Sequence, residues 1–262
     1  MHYVDVADAK ELPGLRLALT RGLPGPWSQA AKYLFEVKMV PYVPMAQNGG
    51  GRNQDLFDWT GHRNAPIAVF DDEPARIGWH EILMLAERLG ASSAPVLLPP
   101  TSAGRAEMLG IIAELASEGG LAWQRRLQLI VTLYDAAETS GDPRTRKAAD
   151  ALADRYGFSE QALSGATARI TDILGMLCQR LRAQQRAGSD YLVGEGFTAA
   201  DLYWACFSQL LAPMPEAQNP MPGSRRLLYQ STDPDVLAAL DPALLAHRDR
   251  IYQHHLSLPL EF

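Results

Sequence analysis

Gly25-Pro26-Trp27-Ser28 sets a hydroxyl and an indole N–H where a helix is expected to begin, with Thr20 a few residues upstream. The first turn of a helix carries backbone N–H groups that have no acceptor within the helix, together with the positive end of its dipole. Such a group of donors could hold an anion, and could stabilise a thiolate near neutral pH. Ser28 is the first candidate donor, against the plain reading of it as a solvent-facing third residue of a helix. Trp27 is a candidate pocket wall or second donor, because an aromatic ring at a helix start favours a binding surface.

Other reactive residue types carry less. Lys38 could reach a carboxylate, but a lysine in the last turn of a helix is already explained by its interaction with the helix dipole. His254 and His255 lack further ligands at metal spacing, so no metal is expected. The two cysteines, Cys178 and Cys206, sit in apolar helical patterns without C-x-x-C spacing and are expected to be buried and inert. With no cysteine before residue 178, disulfide-exchange chemistry at the helix start is disfavoured.

These residues need elements to position them. Leu15, Leu17 and Leu19 alternate with Arg16 and Ala18 as a strand does. A Gly- and Pro-rich turn leads to a helix on Ala30, Ala31, Leu34, Phe35 and Met39, with Pro26 at its first position. Val40, Tyr42 and Val43 read as a second strand, placed at a sheet edge by Pro41 and Pro44. After a loop at Asn48-Gly49-Gly50-Gly51 come a short helix from Asp55 to Trp59 and a third strand from Ala65 to Phe70. A short fourth strand at Arg76-Ile77 and a helix from Trp79 to Leu89 follow. Pro95, Pro99 and Pro100 make a stiff connector, so a boundary is expected at residues 93–102, between an α/β unit (1–92) and a helical unit (103–262).

Helical faces in the second unit are Leu109, Ile112, Ala113 and Ala116, then Leu127, Ile130, Val131 and Tyr134, then Ile170, Ile173, Leu174, Leu177 and Leu181. Asp241-Pro242 opens a last helix as cap and first residue. The long loop from Pro213 to Gly223 is expected to cover a pocket or a partner surface.

A chain of 262 residues that is 47% hydrophobic can build a substantial core. The net charge of −6, with acidic and basic residues interspersed, offers no stripe for a phosphate backbone and excludes nucleic acid as an expected partner. No apolar run approaches the roughly 20 residues of a membrane helix, and the first residues lack the layout of a signal peptide. A soluble, cytoplasmic protein is expected.

Three segments, Gly25-Pro26-Trp27-Ser28, Asn64-Ala65-Pro66-Ile67 and Gly194-Glu195-Gly196-Phe197-Thr198-Ala199-Ala200-Asp201, occur in an order that resembles the glutathione transferase superfamily over nearly the whole chain. The resemblance implies a thioredoxin-like α/β domain followed by an all-helical C-terminal domain. Thr198 would cap a central helix, with Asp201 reaching back to it, a structural role without chemistry. The resemblance further implies a cis Pro66, with the Ala65 backbone pairing with the cysteinyl part of glutathione. Arg63 and Asn64 lie in the approach that contacts the peptide.

Two departures from the family pattern stand out. Gly25 occupies the place of a catalytic serine, or, one step over, Trp27 that of a cysteine, which leaves Ser28 as first donor and Trp27 beside it. Gly78, Trp79, His80 and Glu81 stand where an acidic residue and a serine would hold the γ-glutamyl group. Trp79 and His80 could line that subsite, His80 as a proton-dependent donor, or could simply pack between the domains. The implied activity is glutathione transfer to a hydrophobic electrophile by a homodimer. The electrophile's pocket would lie between Trp27, Trp79 and the facing helices, with Met108, Ile111, Trp123 and Tyr134 as wall candidates. A non-catalytic binding or scaffold protein, and glutathione-dependent cleavage of an ether or peroxide, are the alternatives.

Overall fold

The computed structural model describes residues 1–262, apart from the side chain of Ser224. Its first unit runs α1 (Val6–Ala9), β1 (Leu15–Thr20), α2 (Pro26–Val37), β2 (Tyr42–Gln47), α3 (Gln54–Thr60), β3 (Ile67–Phe70) and α4 (Trp79–Leu89). The second continues with α5 (Ser102–Ala116), α6 (Leu121–Ser140), α7 (Pro143–Tyr156), α8 (Glu160–Ser164), α9 (Ala166–Arg186), α10 (Ala199–Phe207), α11 (Gly223–Tyr229), α12 (Pro234–Ala239) and α13 (Pro242–His255). This is a thioredoxin-like unit followed by a helical one.

The sheet has three strands in the order β2-β1-β3. The central strand β1 pairs in parallel with β2, Leu17 opposite Pro44, and antiparallel with β3, Leu15 opposite Phe70. Pro44 is tolerated inside β2 because that strand lies at the edge, beyond which only Val4 makes a single bridge, to Met45. The fourth strand expected at Arg76-Ile77 is reduced to one bridge, between Ala68 and Arg76. Pro74 and Gly78 flank it too closely for a longer ladder. The Ala65-Pro66 bond is cis, as the resemblance implies.

Of the two readings of Lys38, a carboxylate contact or a dipole interaction alone, the structure has the carboxylate contact. The lysine is buried, and its ammonium donates to Glu87 Oε2 at 3.1 Å and to the Pro95 carbonyl at 2.8 Å. Glu87 in turn accepts from the Leu97 N–H at 2.9 Å, so this ion pair fastens the proline-rich connector to α2 and α4.

In the helical unit the expected face of α9 is buried at Ile170, Ile173, Leu174, Leu177 and Leu181. Asp241 caps α13 by accepting from the Ala243 N–H at 2.8 Å. The short helices α8, α11 and α12, and the polar α7, are additions to the sequence reading. The centre is α10, which touches α2, α5 and α13. Its Asp201 side chain is fully buried. One carboxylate oxygen accepts from the Thr198 N–H and hydroxyl, each at 2.9 Å. The other accepts from the Leu192 N–H at 2.7 Å and lies 3.0 Å from His247 Nε2.

The loop before α11 is packed rather than draped over a cavity. Asn219 is buried, and Gln209 Oε1 accepts from the Met214 N–H at 2.8 Å and from Asn219 Nδ2 at 3.2 Å. The segment after α13 lies along α2: Tyr33 donates to the Ser257 carbonyl at 2.7 Å and Gln29 to the Glu261 carbonyl at 3.0 Å.

An Asp201→Ala substitution strands several buried donors at once. It is expected to cost about 3–5 kcal/mol, measured as the loss of unfolding free energy in a urea titration.

Candidate active site

A cavity of about 440 Å³ opens at the N-terminus of α2 and is shared by both units. The first unit contributes Thr20 from the end of β1, Gly25, Trp27 and Ser28 from the helix start, the glycine loop after β2, and Ala65. The second contributes Arg126, Leu129 and Leu133 from α6, Ala148, Ala151, Leu152, Arg155 and Tyr156 from α7, and Arg225, Leu228 and Tyr229 from α11.

Ser28 is 2% exposed, which replaces the picture of a solvent-facing residue with one packed beneath the cavity floor. Its Oγ accepts from the Thr20 N–H at 3.2 Å and lies 3.2 Å from Thr20 Oγ1. Thr20 Oγ1 donates to Gln47 Oε1 at 3.2 Å, so Ser28 is left as donor to Thr20 in a relay of two hydroxyls and an amide. Both residues border the cavity.

Trp27 also lines the cavity, but its indole N–H is spent on the Ala116 carbonyl at 2.9 Å, with the ring edge-on to Phe207. It is therefore a wall and an interdomain contact, with no proton left to give. Trp79 makes the matching contact, donating from its indole to Ser117 Oγ at 3.0 Å. The two tryptophans thus clasp the C-terminal end of α5, whose last carbonyls have no acceptor role within the helix. His80 is exposed beside Trp79, and neither lines the cavity. Glu81 turns back on its own helix start, accepting from the Gly78 N–H at 3.1 Å.

Ala65 contributes to the cavity directly, and its backbone N–H and carbonyl have no backbone partner among the described residues. Pro66 is buried behind it. Asn64 reaches the rim through its Oδ1, which accepts from Arg155. Arg63 is held elsewhere: its guanidinium donates to the Arg52 carbonyl at 2.5 Å and stacks 3.8 Å from the Phe57 ring centroid.

Of the wall candidates, Met108 and Ile111 are core residues. Trp123 packs edge-on against Tyr156, and Tyr134 against Phe158 with its hydroxyl donating to Asp150 at 3.2 Å. Leu129 and Leu133 of α6 form one part of the apolar wall, and another part comes from α7, a helix not expected from the sequence. Ala148, Ala151 and Leu152 have the spacing of one helical face, a signal that the surrounding arginines and aspartates of α7 obscure.

The thiols are remote from this chemistry. Burial pushes the Cys206 thiol up to about 12. Cys178, expected to be buried, is only half-buried; its thiol is raised as well, first by desolvation and then by donation to Asp241. Among the described residues no group of three His, Cys, Asp or Glu side chains is placed to hold a metal.

No protein-family model matches this sequence, and no curated protein does. Solved structures do match. A glutathione S-transferase from Xanthobacter autotrophicus Py2 is 21% identical with a TM-score of 0.57, over 93% of this chain and 96% of its own. The fold is that of the glutathione transferases. A glutathione S-transferase from Methylobacterium radiotolerans JCM 2831, in complex with glutathione sulfonate, has a TM-score of 0.59 at 15% identity, over 92% of this chain and 91% of its own. Ure2p in complex with glutathione, 15% identical, has a TM-score of 0.54 over 90% of this chain and 98% of its own. Within the glutathione-transferase fold, the cavity of this chain sits where the helical unit faces the start of α2. No helix among the described residues is long and apolar enough to cross a membrane.

Two outcomes follow. Ser28→Ala leaves the half-buried Thr20 N–H without its side-chain acceptor and is expected to lower stability by about 1 kcal/mol, read from the shift of the urea midpoint. At pH 8 the native chain is expected to release almost no chromophore from a disulfide thiol reagent, because both thiols ionise above their ordinary value; unfolding in urea should expose both.

Proposed function

We propose that this chain binds glutathione in the shared cavity, ionises its thiol at the α2 N-terminus, and transfers the thiolate to a hydrophobic electrophile. The observation that carries this reading is the convergence of the Ser28-Thr20 hydroxyl pair, the free first turn of α2 and the unpaired Ala65 backbone on one cavity. The division into a glutathione-binding unit (1–92) and a helical unit (103–262), the cytoplasmic location and the homodimer belong to the same reading.

The residues fit the ligand unevenly. For its cysteinyl part, Ala65 offers backbone groups and the α2 start offers amides. The γ-glutamyl end finds no acidic-residue and serine pair at Gly78-Trp79, so its α-carboxylate would be met by Arg21 and the Asn48-Gly49-Gly50 loop on the cavity's own rim, with its ammonium left to solvent.

Magnitudes decide how the thiol would ionise. A cysteine thiol of pKa ~8.5 needs about 1.5 units of depression to be half ionised at neutral pH, or about 2 kcal/mol. A helix N-terminus typically supplies about 0.3–1 kcal/mol. A hydroxyl donating to the charged sulfur adds about 1.5–3 kcal/mol. The hydroxyl relay is therefore needed: Thr20 Oγ1 turns its proton from Gln47 Oε1 to the sulfur, while Ser28 goes on donating to Thr20 Oγ1. The thiolate sulfur then forms the bond to the electrophilic carbon, and the leaving group departs with its electron pair. In an addition to an activated alkene, the neighbouring carbon takes a proton from water instead.

A scaffold role is favoured by one specific observation, the absence of a side chain at Gly25. A Cβ there would meet Thr20 Oγ1 at 3.7 Å, an ordinary contact, so the position has room for a serine.

Titration with glutathione, followed by calorimetry and by thiolate absorbance, tests both readings. Binding with thiolate formation is expected, reduced severalfold in Ser28→Ala and increased in Gly25→Ser. Absence of binding would sink the proposal, and binding without any thiolate would turn it into the scaffold reading.

A further inference from the structure

The cavity's charged lining is entirely cationic. Arg21, Arg126, Arg155 and Arg225 line it, and no Asp or Glu does, in a chain whose net charge is −6. Arg126 is the decisive member. Its guanidinium sits 5.9 Å from the Trp27 ring centroid and 5.5 Å from that of Tyr229. Its Nε is buried without a hydrogen-bond partner, and among the described residues no carboxylate lies within ion-pair distance of it.

The adjacent cation makes this arrangement more costly. Arg125 is buried and spends its guanidinium on main-chain carbonyls, donating to Leu210 at 3.0 Å and to Gln230 at 3.0 Å. Burial and then the Arg126 charge push Arg125 down to about 10, so it remains protonated at neutral pH. Arg125 is thus held by the main chain, whereas Arg126 has the Tyr229 and Tyr156 side chains, which favour its charge, and faces a cavity next to a like charge. Removing a guanidinium from water without a counterion costs several kcal/mol. An anion seated on Arg126 would recover part of that cost.

The remaining wall defines what such an anion would be attached to. Leu129, Leu133, Leu152 and Leu228 present an apolar surface, with Tyr156 and Tyr229 beside Arg126. A free inorganic anion would leave this surface wet.

We propose that the second ligand of this cavity is an amphipathic organic acid, with its carboxylate, sulfonate or phosphate on Arg126 and its apolar body against the leucines of α6, α7 and α11. As the acceptor in thiol transfer this rests on the proposed function, but the anion preference itself does not require glutathione.

The test titrates the full chain by calorimetry with naphthylacetate and with its neutral counterpart naphthylacetamide, each with and without glutathione. The acid should bind about tenfold or more tightly than the amide, the energy of a charge-assisted hydrogen bond. That preference should weaken as salt is raised. Arg126→Met, which keeps an apolar side chain between the two rings, should bind acid and amide equally while its glutathione affinity stays within about twofold. Arg126→Lys should retain much of the preference.

Equal binding of acid and amide by the native chain would overturn the proposal without any variant. So would an undiminished preference in Arg126→Met, or a loss of glutathione binding in that variant, which would assign the arginine to glutathione's own carboxylate. If glutathione fails to bind while the acid preference stands, the transferase reading falls and this one survives.

Discussion

A single buried carboxylate holds the architecture of this chain together. Asp201 lies with no exposed surface inside the helical unit, and an isolated charge there would be untenable. It is tolerated because Thr198, Leu192 and His247 bring donors to both of its oxygens. Those donors come from the start of α10, from the loop after α9 and from α13, so one side chain fixes the meeting point of three segments. The next residue beyond the cap extends the reach, since the Ala199 N–H bonds to the Leu97 carbonyl of the connector.

From α10 the constraint passes to the site through α2, which packs against it. The helix that offers its first turn to the cavity is held on one side by the sheet and on the other by α10. Lys38 and Glu87 lock its far end. Its near end is therefore pre-positioned, so the donors there need no rearrangement to meet an incoming charge. The tryptophan pair gives the same rigidity between the units, because each indole ties the α/β half to the end of α5.

Features governed by local chemistry could be read from the chain. Pro26 at a first helical position, the Trp79–Leu89 helix, the apolar face of α9 and the Asp241 and Thr198 caps all follow from residues within a few positions of one another. Features governed by partners distant in sequence could not. Whether the Trp27 indole is free depends on a carbonyl 89 positions away, and whether Lys38 is buried depends on Glu87 and Pro95. Arg125 and Arg126 are identical in type and adjacent in sequence, yet one is held by the main chain and the other faces the cavity. For the same reason the hydroxyl of Ser28 was legible as a donor, while its relay through Thr20 to Gln47 was not.

The α7 wall has a property of its own. Ala149 is the one buried residue of that helix, and two of its five cavity-lining positions, Ala148 and Ala151, are alanine. Alanine at Ala148 and Ala151 leaves the opposite leucines without a close neighbour, and that shortfall of atoms is itself part of the cavity. The capacity of the site is thus encoded in the smallest side chains of its least buried long helix. Lengthening either side chain would make the cavity shallower from the outside, leaving the α2 floor and the Asp201 node as they are, so the size of ligand accepted and the stability of the fold are governed by separate residues.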